Sequence, residues 1–222
     1  MTERQRPIKM VLVPPEESQH LLRPIVKFDP QSILQAPRFS GIPIQSPEVA
    51  RLARATDDFS EMRTWAHWPI IEKYLGDNIK DKVSLDIGCA PGDLVKKFED
   101  AGAHAFGIDI SESRVNVARR ISGLLHRENI KHADVRDLPF KDGTVDYVTS
   151  QANLGPEAEA FQMNCPESAA EIARVLKPGG LFFVMEDDAD LTHFEEAGLK
   201  EFGGDGSMWY ILQKPINPVE RL

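Results

Sequence analysis

Val83 to Asp93, VSLDIGCAPGD, runs from an apolar strand pattern into a glycine-bearing turn, with the carboxylate of Asp86 just ahead of the turn. Glycines at such a place let a ligand approach the backbone, and a strand-end carboxylate accepts hydrogen bonds from a cation or a hydroxyl. Gly88 and Gly92 are spaced G-x-x-x-G, whereas a dinucleotide fingerprint needs G-x-G-x-x-G. A pyrophosphate would also meet Asp93 where the next helix begins, and like charges repel there. A cationic ligand carrying an amino-acid group fits this loop better than a phosphate. Two further acids stand where later strands should end, Asp109 in GIDIS and Asp134 in ADVRDLPFKDGTVDYV.

Together these segments resemble the class I S-adenosylmethionine-dependent methyltransferases, whose first motif has the form D/E-x-G-x-G-x-G. DIGCAPG matches it at Asp86, Gly88 and Gly92, with Ala90 in place of the middle glycine, and ARVLKPGGLFFV resembles the helix, turn and strand that follow in the family. The resemblance covers about Lys82 to Lys214. It implies a Rossmann-like α/β fold, with a seven-stranded, mostly parallel sheet in the order 3-2-1-4-5-7-6 and helices on both faces. It implies S-adenosyl-L-methionine as cofactor, with Asp86, Gly88, Cys89, Ala90 and Gly92 around the methionine part. Asp109 and Ile110 would take the ribose, since only a carboxylate accepts two hydroxyl protons at once. Asp134 and Val135 would meet the adenine, and Ser150 and Gln151 would face cofactor and acceptor. Each strand-end acid alone could equally cap the helix after it; their joint spacing favours the ligand.

A sulfonium donor is already activated, so the protein must align an acceptor and, where needed, take a proton. The segment Thr149-Ser150-Gln151-Ala152-Asn153-Leu154 is not the N/D-P-P-Y/F of enzymes acting on adenine or glutamine amino groups. Ala90-Pro91-Gly92 is similar to a triplet of RNA methyltransferases, but their D-M-A-P and Pro-Cys segments are missing, and Cys165-Pro166 has the reverse order. Cys89 reads as a small loop residue, since nothing near it would activate a thiol. Candidate bases are His67, between Trp65 and Trp68, His193, and the run Glu186-Asp187-Asp188, which could also bind a divalent ion but reads more simply as a solvated loop. No catalytic residue and no metal site is assigned. The favoured acceptor is oxygen or nitrogen of a small molecule. An RNA or protein substrate docked by the N-terminal arm, and a non-catalytic S-adenosylmethionine-binding subunit, stay open as alternatives.

The elements that must position these groups follow from hydropathy and punctuation. From Val83 onward strand, turn and helix alternate, as in βαβ units. The apolar runs Val83–Ile87, Ala105–Ile108, Ile130–Ala133, Thr144–Thr149 and Leu181–Met185 read as parallel strands, and Leu199–Phe202 with Met208–Leu212 as an antiparallel closing pair. Helices are expected after Gly92, after Ser111 with a stripe of Val117, Ala118, Ile121, Leu124 and Leu125, over Pro166–Leu176, and over Leu191–Ala197. Lys177-Pro178-Gly179-Gly180 reads as a turn. Upstream, Ser46-Pro47-Glu48 opens a short helix to Ala55, and a second run from Thr56 through Phe59, Met62 and Ile70 should be kinked or divided by Pro69.

Eight of the 16 prolines fall in the first 50 residues of 222, so residues 1–45 read as a proline-rich arm, 46–80 as lid helices, 81–214 as the cofactor domain and 215–222 as a tail. The arm carries a dozen apolar residues between Val11 and Ile42, too many for a purely solvated tail, and is expected to lie against the body, a substrate or another subunit. Residues 1–54 hold 8 Lys+Arg and 5 Asp+Glu within a chain of net charge -9, so the body is strongly acidic. That balance argues against a large phosphate-tracking surface. No run approaches the roughly 18 apolar residues of a membrane span and no signal segment is evident, so a soluble, cytoplasmic protein is expected. Two cysteines make no disulfide framework and read as free thiols.

Overall fold

The computed structural model describes residues 33–35, 60–89, 91–121, 123–151, 163–186, 189–206 and 208–216. The expected helix at Ser46–Ala55, the start at Thr56, Ala90, Asp187 and Asp188 lie outside the described residues, as does 152–162 in the loop after the fourth strand. Helix α1 (Ser60–Leu75) leads through a 3-10 turn at Gly76–Ile79 into β1 (Val83–Ile87), α2 (Asp93–Asp100), β2 (His104–Asp109), α3 (Glu112–Ile121) and β3 (Ile130–His132). Next come β4 (Val145–Gln151), α4 (Pro166–Val175), β5 (Leu176–Met185), α5 (Thr192–Glu196), β6 (Lys200–Gly204) and β7 (Trp209–Gln213). One sheet holds all seven strands in the order β3-β2-β1-β4-β5-β7-β6. The pairs from β3 through β5 are parallel, and β7 pairs antiparallel with both β5 and β6. This is the Rossmann-like order expected from the resemblance.

The sheet is covered on both faces, which is why its central strands are almost wholly apolar. One core joins Val83, Leu85, Val148, Phe182 and Val184 to Ile172 and Ala173 of α4 and Phe194 of α5. The other joins Phe183, Met185 and Ile211 to Trp68, Ile71 and Leu75 of α1, Leu94 and Phe98 of α2, and Val115 and Ala118 of α3. At the amino edge of the sheet the carboxylate of Asp146 accepts the Val83 N–H at 2.9 Å and Lys177 Nζ at 2.6 Å, tying β1, β4 and β5 together. None of the described helices is long and apolar enough to cross a membrane.

Several boundaries differ from expectation. Lys177-Pro178-Gly179-Gly180 is part of β5, because Leu176 already pairs with Val145 and Gly179 N–H bonds to Lys214 O; a register shift between Val145 and Tyr147 absorbs the irregular residues. β6 runs on through Gly203 and Gly204, past the expected end at Phe202. Pro69 lies inside an unbroken α1, exposed where a missing backbone donor costs least. On α3 the buried stripe is Val115 and Ala118, while Val117 is 43% exposed and Leu125 beyond the helix 74% exposed. At 100° per residue, Val117 stands on the opposite side from that stripe.

Candidate functional site

Three acids mark the carboxyl edge. Asp86 lies one residue before the end of β1, opposite Gly107 of β2, and Asp109 closes β2. Asp134 caps the 3-10 turn Val135–Asp137 that follows β3. Between the first two runs the glycine turn. Gly88 (φ 70°) and Gly92 (φ 98°) adopt the left-handed region that only glycine enters freely, and Gly92 is the N-cap of α2. Cys89 N–H bonds to Ile108 O at 2.9 Å, which lays the turn against the end of β2.

Asp86 is buried and receives the Thr149 hydroxyl at 2.7 Å from the neighbouring strand. Burial pushes its carboxyl up to about 7, against the Thr149 bond and with help from Asp109 and Asp93. Asp109 Oδ1 accepts the Ser111 N–H at 2.8 Å, and its Oδ2 lies 3.9 Å from Arg114 Nη1 in the first turn of α3. Buried at 3% exposure beside that cation, Asp109 is placed to act as an acceptor. Asp134 is clasped by its own neighbour: Oδ1 accepts Arg136 N at 2.9 Å and Nε at 3.0 Å, and Oδ2 accepts Nε and Nη2. The clasp engages both carboxylate oxygens and so fixes the orientation of Asp134. Val135 beside it is buried.

Cys89 is fully enclosed. Burial, reinforced by Asp109 and Asp86, pushes its thiol well above the usual range, so it is a neutral packing group and no nucleophile. Ser150 and Gln151 are the last two residues of β4, with Ser150 paired to Ile87 and Gln151 to Met185, so both belong to the strand itself. The Gln151 Nε2 atom is buried without a hydrogen-bond partner. Ile110 follows Asp109, and its carbonyl meets His132 Nε2 at 3.1 Å.

The candidate bases separate. His67 is on α1, but the adjacent Trp68 turns into the core and packs edge-on against Phe98 of α2 at 5.2 Å, so that indole walls no ligand site. His193 on α5 lies 3.5 Å from Glu196. Glu186 directly follows β5. Among the described residues no group of three His, Cys, Asp or Glu could hold a metal ion. A cavity of about 420 Å³ lined by Ala173, Arg174, Gly198, Leu199 and Lys214 includes none of the strand-end acids.

Four residues that the motifs did not single out complete the site. Thr149 and Arg114 face Asp86 and Asp109, Arg136 clasps Asp134, and Gly107 makes room for the turn. A Cβ on Gly107 would stand 2.6 Å from Cys89 Sγ and 2.8 Å from Val95 Cγ2. A glycine inside a strand signals such close approach, so Gly107 could have been found from the sequence.

Residues 85–184 match a family model described as a methyltransferase domain. With the sheet order and the acids at its carboxyl edge, residues 85–184 form a methyltransferase domain of the S-adenosylmethionine-dependent kind. Demethylmenaquinone methyltransferases of Staphylococcus saprophyticus and Staphylococcus aureus are 30% and 31% identical to it over 140 and 113 residues. Those matches cover 60% and 48% of this chain and 55% and 44% of the relatives, so the chain spans about half their length. Solved structures from Methanococcus maripaludis and Pyrococcus horikoshii each share the fold with a TM-score of 0.56, at 18% and 22% identity, over 82% and 77% of this chain and 99% and 93% of theirs. A SAM-dependent methyltransferase from Aquifex aeolicus does so with a TM-score of 0.55 at 16% identity, over 73% of this chain and 95% of its own.

Proposed function

We propose that this protein transfers a methyl group from S-adenosylmethionine to oxygen or nitrogen of a small-molecule acceptor. The observation that carries the reading is the row of acids at the ends of neighbouring strands, Asp86, Asp109 and Asp134, with the Gly88–Gly92 turn set between the first two. The relatives named demethylmenaquinone methyltransferases support a small organic acceptor.

When bound, the cofactor supplies a methyl group on a sulfonium, ready for transfer. The residues of this chain fit such a ligand. Asp86 resists ionising while it faces only Thr149, Asp109 and Asp93, so a ligand ammonium beside it would be welcomed as counter-charge. Asp109, held by Ser111 and flanked by Arg114, would accept from the ribose hydroxyls, with Ile110 beside it. Asp134, oriented by Arg136, would accept from the adenine amino group while Val135 backs the ring. Gly88, Cys89, Ala90 and Gly92 would line the methionine portion. Ser150 and Gln151 would face the acceptor, whose choice falls to residues 1–80 and the stretch Gln151 to Cys165.

Calorimetric titration with S-adenosylmethionine and S-adenosylhomocysteine, for the intact protein and for Asp109→Ala, tests the reading. Micromolar binding that Asp109→Ala loses is the expected result; no binding by the intact protein overturns it. Turnover on a panel of phenols, quinols and amines, with RNA as a separate arm, then assigns the acceptor.

A further inference from the structure

We infer that Ile33 and Gln35 are positioning residues for the adenine side of the site, acting through residues 138–141. The inference takes its ligand from the methyltransferase reading above. Three residues of the otherwise proline-rich arm lie antiparallel along this segment, with an isolated bridge between Leu34 and Phe140. Lys141 N–H bonds to Ile33 O at 2.8 Å, Gln35 N–H to Pro139 O at 3.2 Å, and Gln35 Nε2 reaches Leu138 O at 3.5 Å across 103 residues of sequence. The Ile33 side chain is 6% exposed and belongs to the same core as Val135, Leu138 and Phe140.

Residues 138–141 belong to none of the seven strands, so their polar groups depend on what clamps them. On one side α4 does so: Leu138 N–H bonds to Glu171 Oε2 at 2.8 Å, and Arg174 donates to Phe140 O at 2.7 Å and to Leu138 O at 3.1 Å. On the other side stand Ile33 and Gln35. The clamped segment continues directly from the turn that carries Asp134, Val135 and Arg136, where Asp137 N–H bonds to Asp134 O at 3.1 Å. Releasing the Ile33 side frees the Lys141 N–H and the Pro139 carbonyl and unpacks one wall of the core behind Val135. The Asp134 carboxylate and the Val135 backing are then no longer held in one place. Ile33 and Gln35 thereby support the cofactor site through residues 138–141.

The test uses the full chain with Ile33→Ala, Ile33→Val and Gln35→Pro, set against Asp146→Ala, which weakens the sheet at its opposite edge. Amide hydrogen exchange reads the clamp without any ligand. The expected result is exchange about tenfold faster at Asp137 and Lys141 in Ile33→Ala and Gln35→Pro, with β1 and β4 unchanged. Calorimetry with S-adenosylhomocysteine and with 5′-methylthioadenosine, which keeps only the adenosine half, should show Kd rising about tenfold for both ligands. Ile33→Val should restore both readouts, and Asp146→Ala should lower the unfolding midpoint with Kd within about twofold of the parent. Unchanged exchange over 134–141 in Ile33→Ala overturns the inference. So does a loss of affinity that Asp146→Ala reproduces at equal loss of stability. Faster exchange in a protein that binds neither ligand keeps the clamp and overturns the methyltransferase reading instead.

Discussion

Asp86→Asn removes a buried carboxyl that the fold holds mostly protonated below neutral pH, and its effect on stability has a calculable size and sign. The ordinary value of 3.8 is raised to about 7, by burial first. Below about pH 4 the group is neutral in both folded and unfolded chains, and its contribution to stability is fully present. As the pH rises toward about 7 the unfolded chain ionises while the folded one resists, so stability is lost through that window. About three pH units at about 1.4 kcal/mol each make the full loss about 4 kcal/mol. Asn carries no such proton and still accepts the Thr149 hydroxyl. Urea unfolding of parent and variant between about pH 5 and about pH 8 should therefore show the gap widening in favour of Asp86→Asn by about 3 kcal/mol. A gap that stays constant with pH, or that favours the parent at the alkaline end, would refute the reasoning. The same group links binding to protons: a cationic ligand that ionises Asp86 below pH 7 releases a proton. The heat of S-adenosylmethionine binding should then vary with the ionisation enthalpy of the buffer, and in Asp86→Asn it should not.

Three other outcomes follow from the geometry. Gly107→Ala forces a methyl group to within 2.6 Å of Cys89 Sγ and should cost about 1–3 kcal/mol by overpacking, with weaker S-adenosylhomocysteine binding, both measurable by thermal shift with and without ligand. Asp146→Ala leaves the buried Val83 N–H without its acceptor, and a urea midpoint reporting a loss of about 1–3 kcal/mol checks it. Cys89, buried with its thiol pushed up, should resist a thiol reagent in the native protein while Cys165, partly exposed and outside any disulfide, reacts first; counting labelled thiols with time decides.

Much of the sheet is readable from local pattern, because the central strands are apolar runs ended by turns and α4 opens with a proline in its first turn. Asp86, Asp109 and Asp134 were legible for the same reason: their meaning depends on standing at strand ends, which nearby residues define. What surrounds them was not. Thr149 reaches Asp86 across 63 positions and Ile33 meets Lys141 across more than 100, and no periodicity announces such a meeting. Lys177-Pro178-Gly179-Gly180 has turn composition and lies in a strand, because pairing with β4 and with Lys214 overrides local preference. Val117 and Leu125 were misplaced through hydropathy alone, since an apolar residue on the wrong side of a helix remains apolar. Arg136, the neighbour that clasps Asp134, was visible but carried no motif.

The Asp146 clasp at the amino edge has a consequence for synthesis on the ribosome. β1 is made more than 60 residues before the strand and the carboxylate that complete it, since Val83 waits for Asp146 and Ser84 for Tyr147. During that interval β1, β2 and β3 can pair with one another, yet the far edge of β1 remains an open apolar template. The emergence of β4 is therefore the event that ends the nascent chain's exposure to wrong partners. Pausing of translation before Val145 should lengthen the chain's dependence on chaperones, whereas pausing after Gln151 should not.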